Sequence, residues 1–459
     1  MITFAALFLV IKSNVIFTIL VTVLFGFLIG RLNIKAALLS LVAISPIMHP
    51  AISIEVPGQP LINYQRLLLI GLIVAFIYRR KRLEINRVKG NKLLLLFIIS
   101  SVITALLSQS PVNNLFATAT WVFEVFVVLL LLTNGNYESH DLIVFSEYLS
   151  ISLLIAIAFG IIELLLNRRI FQELVPLDSI KINIYDYAEA TNRMAISRIH
   201  SVFEHPFAFG NFAAILMPLW ISLFMAQKKI FAMVIFLLSF GPVIVSSSRA
   251  TLVLAVLGAI IVMCLSFGYI KRVVVLAFII GVLLIVLIQV SDIGNYVSEF
   301  FSPEKIKYSQ GLGSSVEDRI DMAKEALAML KEHYFFGLGK KTVQKEVLIG
   351  NIRGVGNLES YFIALFMFSG IMGAMLFAAY LYIVARALIH KLKKTQMRCY
   401  MATASLAILV AVSIHFVHSG WVNETLFAVA INLPFIFSER TNVSVGPIRA
   451  AAGDSRKLG

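Results

Sequence analysis

Charge is scarce in this chain. Only 14% of its 459 residues are Asp, Glu, Lys or Arg and 59% are apolar, whereas soluble domains carry about 25% charged residues. Together with a mean hydropathy of +0.90, this excludes a soluble enzyme and places the chain in a bilayer. Cysteine is nearly absent: Cys264 and Cys399 both lie in apolar runs, which excludes a disulfide framework and a cysteine-based zinc site. No internal repeat and no low-complexity tract is visible. The apolar N-terminus lacks a basic start and a small-residue cleavage site, so no cleavable signal peptide is expected. Acids are fewer than bases, 25 against 39, for a net charge of +14. In a soluble protein that excess would point to nucleic acid; here its placement along the chain decides its meaning.

What the sequence has in abundance is apolar runs. A membrane helix needs about 20 mostly apolar residues, because a backbone polar group left unpaired in hydrocarbon is costly. Thirteen such runs lie between residues 14 and 437, among them 14–30, 34–49, 115–133, 206–226, 273–290 and 358–385, and Met1–Ile11 is ambiguous. An all-α, polytopic membrane helix bundle of about 11–14 spans is expected, forming one membrane domain over 1–459. Lys and Arg resist translocation and so mark the cytoplasmic side. Segment 79–92 holds seven basic residues and one acid, and 386–398 holds five and none. Both are expected to be cytoplasmic, and alternation then puts the tail 438–459 inside as well.

The same alternation leaves two long segments outside, 167–205 and 291–357. Each balances its charges, five against five and nine against nine. Loops this long are usually functional or disordered, and apolar and aromatic residues at helical spacing argue for order. In the second loop a helix is expected over 315–335. Ser314 and Glu317 form a capping-box pattern, Ile320, Ala323, Leu327, Leu330 and Tyr334 form one apolar stripe, and Gly337 and Gly339 supply the stop.

The residues able to carry chemistry concentrate on that outside face, where arginines sit near span ends. Arg198 precedes the span that opens at His205-Pro206, Arg249 sits between two apolar runs, and Arg319 occupies the first turn of the loop helix. An arginine at the hydrocarbon edge must pair or snorkel, and its guanidinium suits bidentate contact with phosphate. Taken singly, each also fits an interfacial anchor. His200, His205, His415 and His418 lack metal-ligand spacing with a carboxylate, which favours helix packing and hydrogen bonding. Glu124, Glu147 and Glu163 fall within spans and fit either an ion path or structural hydrogen bonding. Spacings such as Gly26 to Gly30 are packing features.

At these arginines the sequence resembles the O-antigen ligase/polymerase superfamily of polytopic bacterial membrane glycosyltransferases. The resemblance rests on Arg198, Ser201, Phe203, Pro206 and Gly210 at a span entry, then on Ser248-Arg249. Arg319 follows, opening a helix that leads to Gly337-Leu338-Gly339, and last come Glu359, Tyr361, Gly370 and Gly373. These elements run in order from about 193 to 385. Ligases of the family share a His-Asn pair at the last element, where this chain has Leu358-Glu359-Ser360, and this favours a polymerase of lipid-linked repeat units.

The resemblance implies glycosyl transfer at the periplasmic face of the bacterial inner membrane. The donor and acceptor would be undecaprenyl-diphosphate-linked glycans of an O-antigen, capsule or exopolysaccharide. A flippase and a chain-length regulator are further implied partners; no cofactor, metal or nucleic acid is expected. Arg198, Arg249, Arg319 and Glu359 are the implied catalytic residues, and Arg193, His200, Glu204, His205, Arg353 and Tyr361 the implied substrate-binding ones. The leaving diphosphate gathers charge, and a fixed donor aimed at such charge is worth about 3 to 4 kcal/mol in a water-poor site. Alternative readings are a ligase acting on another acceptor, or a lipid-linked oligosaccharide flippase or transporter. The latter predicts short external loops and two similar halves, and neither is evident.

Overall fold

A computed structural model describes residues 15–48, 53–54, 62–79, 90–166, 192–193, 196–197, 199–203, 205–227, 230–246, 248–265, 316–348, 360–392, 396–418 and 423–437. The run Met1–Ile11, the expected span 273–290, the tail 438–459 and most of both long loops lie outside the described residues. In chain order the helices are α1 Val15–Ile44, α2 Tyr64–Tyr78, α3 Asn91–Leu107, α4 Pro111–Trp121, α5 Val128–Thr133, α6 Ser139–Leu166, α7 Pro206–Gln227, α8 Ile230–Leu238 and α9 Phe240–Val245. They continue with α10 Arg249–Leu265, α11 Val316–Met329, α12 Lys340–Leu348, α13 Tyr361–Leu392, α14 Gln396–His418, α15 Glu424–Ile431 and α16 Leu433–Ile436. A π-helical turn, Val122–Val127, joins α4 to α5. The described strands form two two-residue antiparallel pairs, β1 Ser53–Ile54 with β2 Ile62–Asn63 and β3 Asn192–Arg193 with β4 Ile196–Ser197.

Among the described residues six helical stretches are long and apolar enough to cross a membrane, and shorter apolar helices accompany them. The chain is a multi-pass membrane protein with an all-α fold. Its layering follows from composition, since a helix apolar on every side must be enclosed. In α7 83% of the apolar stretch is buried and in Tyr400–Val417 of α14 78%, against 33–44% in the other long helices. Helix α7 carries the buried Phe209, Phe212 and Trp220 and packs against α8, α9, α10 and α14. The other long helices keep an exposed apolar face, as lipid contact requires.

The expected spans 14–30 and 34–49 are two helical segments within α1 that meet at a sharp break. Asn33 leaves helical geometry (φ −149°, ψ 95°) and its side chain accepts from the Ala36 N–H at 3.2 Å, capping the second half. The carbonyls freed at the break, of Arg31 and Leu32, accept from the Arg79 guanidinium. Helices α1 and α2 then meet backbone to backbone, for a Cβ on Gly71 would lie 2.2 Å from the Val23 carbonyl oxygen. This is the close approach that small residues allow between membrane helices.

The helices alternate between two ends of the bundle. The near end adjoins the basic segments 79–92 and 386–398; there Lys35 pairs with Asp141 at 3.7 Å. Beside that pair, burial first and Asp141 second hold the Tyr137 phenol far above its ordinary range. At the far end lie the starts of α2, α7, α10, α13 and α15 and the finishes of α6, α9 and α14, and the polar side chains that bear on function gather there.

Candidate functional site

The segment entering α7 is held by a buried carboxylate. Glu163, in the last turn of α6, is 7% exposed. It accepts from the backbone N–H of His200, 3.2 Å from each oxygen, and from that of Ser201 at 2.6 Å. Three such bonds account for a charge at this depth, so Glu163 fastens backbone and the structural reading of this residue holds. Ser201 takes a positive φ of 56°, and its hydroxyl donates to the Ala156 carbonyl. Ile199 N–H reaches the Val245 carbonyl at 3.4 Å, and Phe203 stacks on Phe209 with ring centroids 5.7 Å apart. The segment is therefore tied to α6, α7 and α9 at once.

His200 and His205 are buried, with rings 6.3 Å apart. His205 Nδ1 accepts from the Phe207 N–H at 3.1 Å. Arg198 and Glu204 flank this segment outside the described residues. Arg193 lies in β3, paired with Ile196, and that short hairpin delivers the chain to Arg198.

Arg249 is the first residue of α10. Ser248 caps that helix: its hydroxyl accepts from the Thr251 N–H at 3.3 Å and its carbonyl from the Leu252 N–H at 3.1 Å. The Ser-Arg pair thus has a local reason, a good N-cap placing the arginine at the first helical position. Beneath it, Thr251 donates to Asn211 Oδ1 at 3.0 Å, and Asn211 Nδ2 lies 3.3 Å from His415 Nε2. This chain of three buried side chains ties α7, α10 and α14 together. Gly210 makes the approach possible, because a Cβ there would fall 2.5 Å from the Ser246 hydroxyl.

Arg319 lies in the first turn of α11. The helix expected over 315–335 is shorter: α11 ends at Met329, a 3-10 turn covers Leu330–Glu332, and 333–336 turn away. Its buried face is centred on Ala326 and Leu330, while Leu327 and Tyr334 of the expected stripe are each 51% exposed. The reason lies in α13, which breaks at Gly370 (φ 64°, ψ −170°). The chain after α11 fills the break. Leu338 and Gly339 N–H groups donate to the Met367 and Phe368 carbonyls at 2.8 and 3.2 Å, while Ile371 and Met372 N–H groups donate to Tyr334 and Phe335 at 3.0 and 3.3 Å. Neither glycine at the contact has room for a Cβ: on Gly337 it would meet Gly370 N at 2.5 Å, and on Gly370 the Phe335 oxygen at 2.3 Å.

Asn114 completes the dock. It is 1% exposed; its amide donates to Ser108 and Thr342 hydroxyls, each at 2.8 Å, and its oxygen accepts from the Lys341 N–H at 2.7 Å. Thr104 of α3 donates to the Phe336 carbonyl. The Gly-x-Gly and Gly-x-x-Gly elements are therefore two halves of one joint.

Tyr361 opens α13, its ring stacked on Phe416 at 4.2 Å, and Ser360 donates to the Phe416 carbonyl at 3.2 Å. The Tyr361 ring lies beside Glu424, in the first turn of α15. Glu359 and Arg353 lie outside the described residues. Glu147 is exposed on α6, and among the described residues no three His, Cys, Asp or Glu side chains form a metal-binding group. Sequence reasoning missed Asn114, Asn211 and Glu424; the signal available was that a polar side chain among apolar residues in a membrane is costly unless partnered.

Residues 234–378 match the family model described as O-antigen ligase. The match covers less than half of the chain and contains Arg249, Arg319, the Gly337–Gly339 loop, Tyr361 and the Gly370 break; Arg198 and the segment entering α7 precede it. No curated protein matches the chain. The match supports the O-antigen ligase/polymerase superfamily and, with it, glycosyl transfer within a membrane.

Proposed function

We propose that the protein is a polymerase of undecaprenyl-diphosphate-linked oligosaccharide repeat units, acting at the periplasmic face of the inner membrane. The observation that supports the reading is that three elements lie on the side remote from the basic segments. The segment after Arg198 and helix α10, which Arg249 opens, pack on the main buried core, while the joint that holds the Arg319 helix has a smaller core of its own, with Ala326, Leu330, Leu338 and Met367, seated on α13. Helices α7, α10 and α13 also begin there, with the positive ends of their backbone dipoles toward the site.

In the reaction, the oxygen of an acceptor hydroxyl forms a bond to the donor's anomeric carbon, and the bond from that carbon to the phosphate oxygen breaks. The electron pair leaves on the lipid diphosphate, where Arg198, Arg249 and Arg319 bind the charge. The hydroxyl proton passes to a carboxylate. Glu359 is the leading candidate, with Glu204 and His205 behind it, and the base must come within about 3 Å of the hydroxyl. Arg193, His200, Arg353 and Tyr361 would contact substrate around them. Polymerase is preferred to ligase because Leu358-Glu359-Ser360 replaces the ligases' His-Asn pair. A flippase and a chain-length regulator are the partners this role calls for.

The test is incubation of the purified protein with the lipid-linked repeat unit extracted from its own cell membranes. A ladder of longer lipid-linked products is expected. Transfer solely to added lipid A core would overturn the polymerase reading.

A further inference from the structure

A second polar cluster lies at the far end, on the other face of α14 from His415. Arg66 Nε donates to Glu124 Oε1 at 2.8 Å, and Asn63 Nδ2 reaches the same oxygen at 3.4 Å. The Thr425 hydroxyl donates to the Glu124 carbonyl at 3.2 Å, and beside Thr425 stands Glu424 with Tyr361 on it. The Arg66 and Glu124 side chains are 21% and 24% exposed, so this ion pair borders open space. Its second carboxylate oxygen, Oε2, accepts no hydrogen bond among the described residues.

The depth of the cluster follows from helix length. Helix α2 is fixed at both ends: Asn63 caps it by accepting from the Arg66 N–H at 2.9 Å, and Arg79 closes it at the near end against α1. Its 15 residues span about 22 Å, short of the roughly 30 Å hydrocarbon core. Glu124 lies midway along the apolar stretch Pro111–Thr133, so this ion pair stands within the depth of the bilayer. Ionisable side chains at such depth face a bundle interior or a water-filled cavity. Glu124 also sits in the π-helical turn Val122–Val127, a distortion that costs helix regularity and is frequent at functional sites.

We propose that this partly exposed cluster lines a recess that binds the sugar hydroxyls of the acceptor repeat unit, with Arg66 and Glu124 as its floor and Tyr361 and Glu424 as its wall. The inference rests on the polymerase reading and names where the second substrate sits. Two carboxylates against one guanidinium repel a diphosphate, so the recess does not suit the donor's leaving group. Carboxylates, a guanidinium and a phenol supply the mixed acceptors and donors that neutral sugar hydroxyls need. Arg66, Glu124 and Glu424 all fall outside the matched segment 234–378, in the parts of the chain available for substrate selection.

The experiment uses the full chain in lipid nanodiscs. The donor is the lipid-linked repeat unit extracted from its own cell membranes, and the acceptor probe is the free oligosaccharide that mild acid releases from that lipid. Glu124→Gln and Glu424→Gln keep side-chain size and remove the charge. Each is expected to raise the KM for the free oligosaccharide at least tenfold, far more than the KM for the donor, and to divert the donor sugar to water. Cys264→Ser, remote from the site, serves as the control at wild-type values. Equal changes in both KM values, or no change, overturn the acceptor recess while leaving the polymerase reading standing. A wild-type protein that transfers no sugar from the lipid-linked donor overturns both.

Discussion

At the residue scale, the far end holds several of its buried polar side chains on defined partners. Glu163 is the clearest case: Glu163→Gln replaces one acceptor oxygen with a donor facing backbone N–H groups. Stranding such a buried group costs about 1 to 3 kcal/mol, and the expected outcome is a lower thermal midpoint of the detergent-solubilised protein; an unchanged midpoint would show that the segment at 199–201 is held otherwise. Arg249 tests the chemistry. Arg249→Lys keeps the charge and loses the planar fork, so a fall of at least tenfold in chain elongation is expected at normal membrane insertion, and full activity would remove bidentate phosphate binding from the reading. Arg249 and its capping serine were legible as a local pair in the sequence. Glu163, Asn211 and His415 were not, because their partners lie 37 to 204 positions away and no spacing rule connects them.

At the element scale, apolar length located the spans well, while their interruptions had to be seen. Periodicity extends the loop helix through Tyr334, yet residues 334–339 give their backbone hydrogen bonds to α13 instead of continuing the helix. The glycines marked the place without disclosing that Gly337 and Gly370 are partners. Gly370 adopts a backbone region that is almost exclusive to glycine, where another residue costs about 1 to 3 kcal/mol, and it has no space for a Cβ. Gly370→Ala is expected to free the 333–348 segment, detected as faster limited proteolysis there and loss of elongation together. Unaltered cleavage would mean that the joint closes without this geometry.

At the scale of the whole molecule, we propose that the net charge of +14 is a record of topology. The excess lies in segments such as 79–92 and 386–398, whereas both long loops sum to zero. The orientation that follows is testable in a background lacking Cys264 and Cys399. Lys181→Cys, in the first long loop, should react with a membrane-impermeant maleimide in intact cells, and Lys394→Cys only after permeabilisation; the reverse pattern would invert the assignment of faces. The all-α multi-pass architecture was readable from composition alone. The enclosure of α7 and α14 and the pairing of Arg66 with Glu124 were not, since they depend on which helices touch.

The joint at Gly370 also constrains how the chain is made. Helix α13 enters the bilayer with the carbonyls of Met367 and Phe368 and the N–H groups of Ile371 and Met372 bonded to the loop that precedes it, and hydrocarbon offers no substitute partners. The ribosome delivers the loop first, so it must cross to the far side and wait there before the helix is released sideways into lipid. A nascent chain whose loop failed to cross would carry four orphaned backbone groups into the membrane. The same break that seats the Arg319 helix in the finished protein thus makes α13 depend, for its own backbone, on the loop made before it.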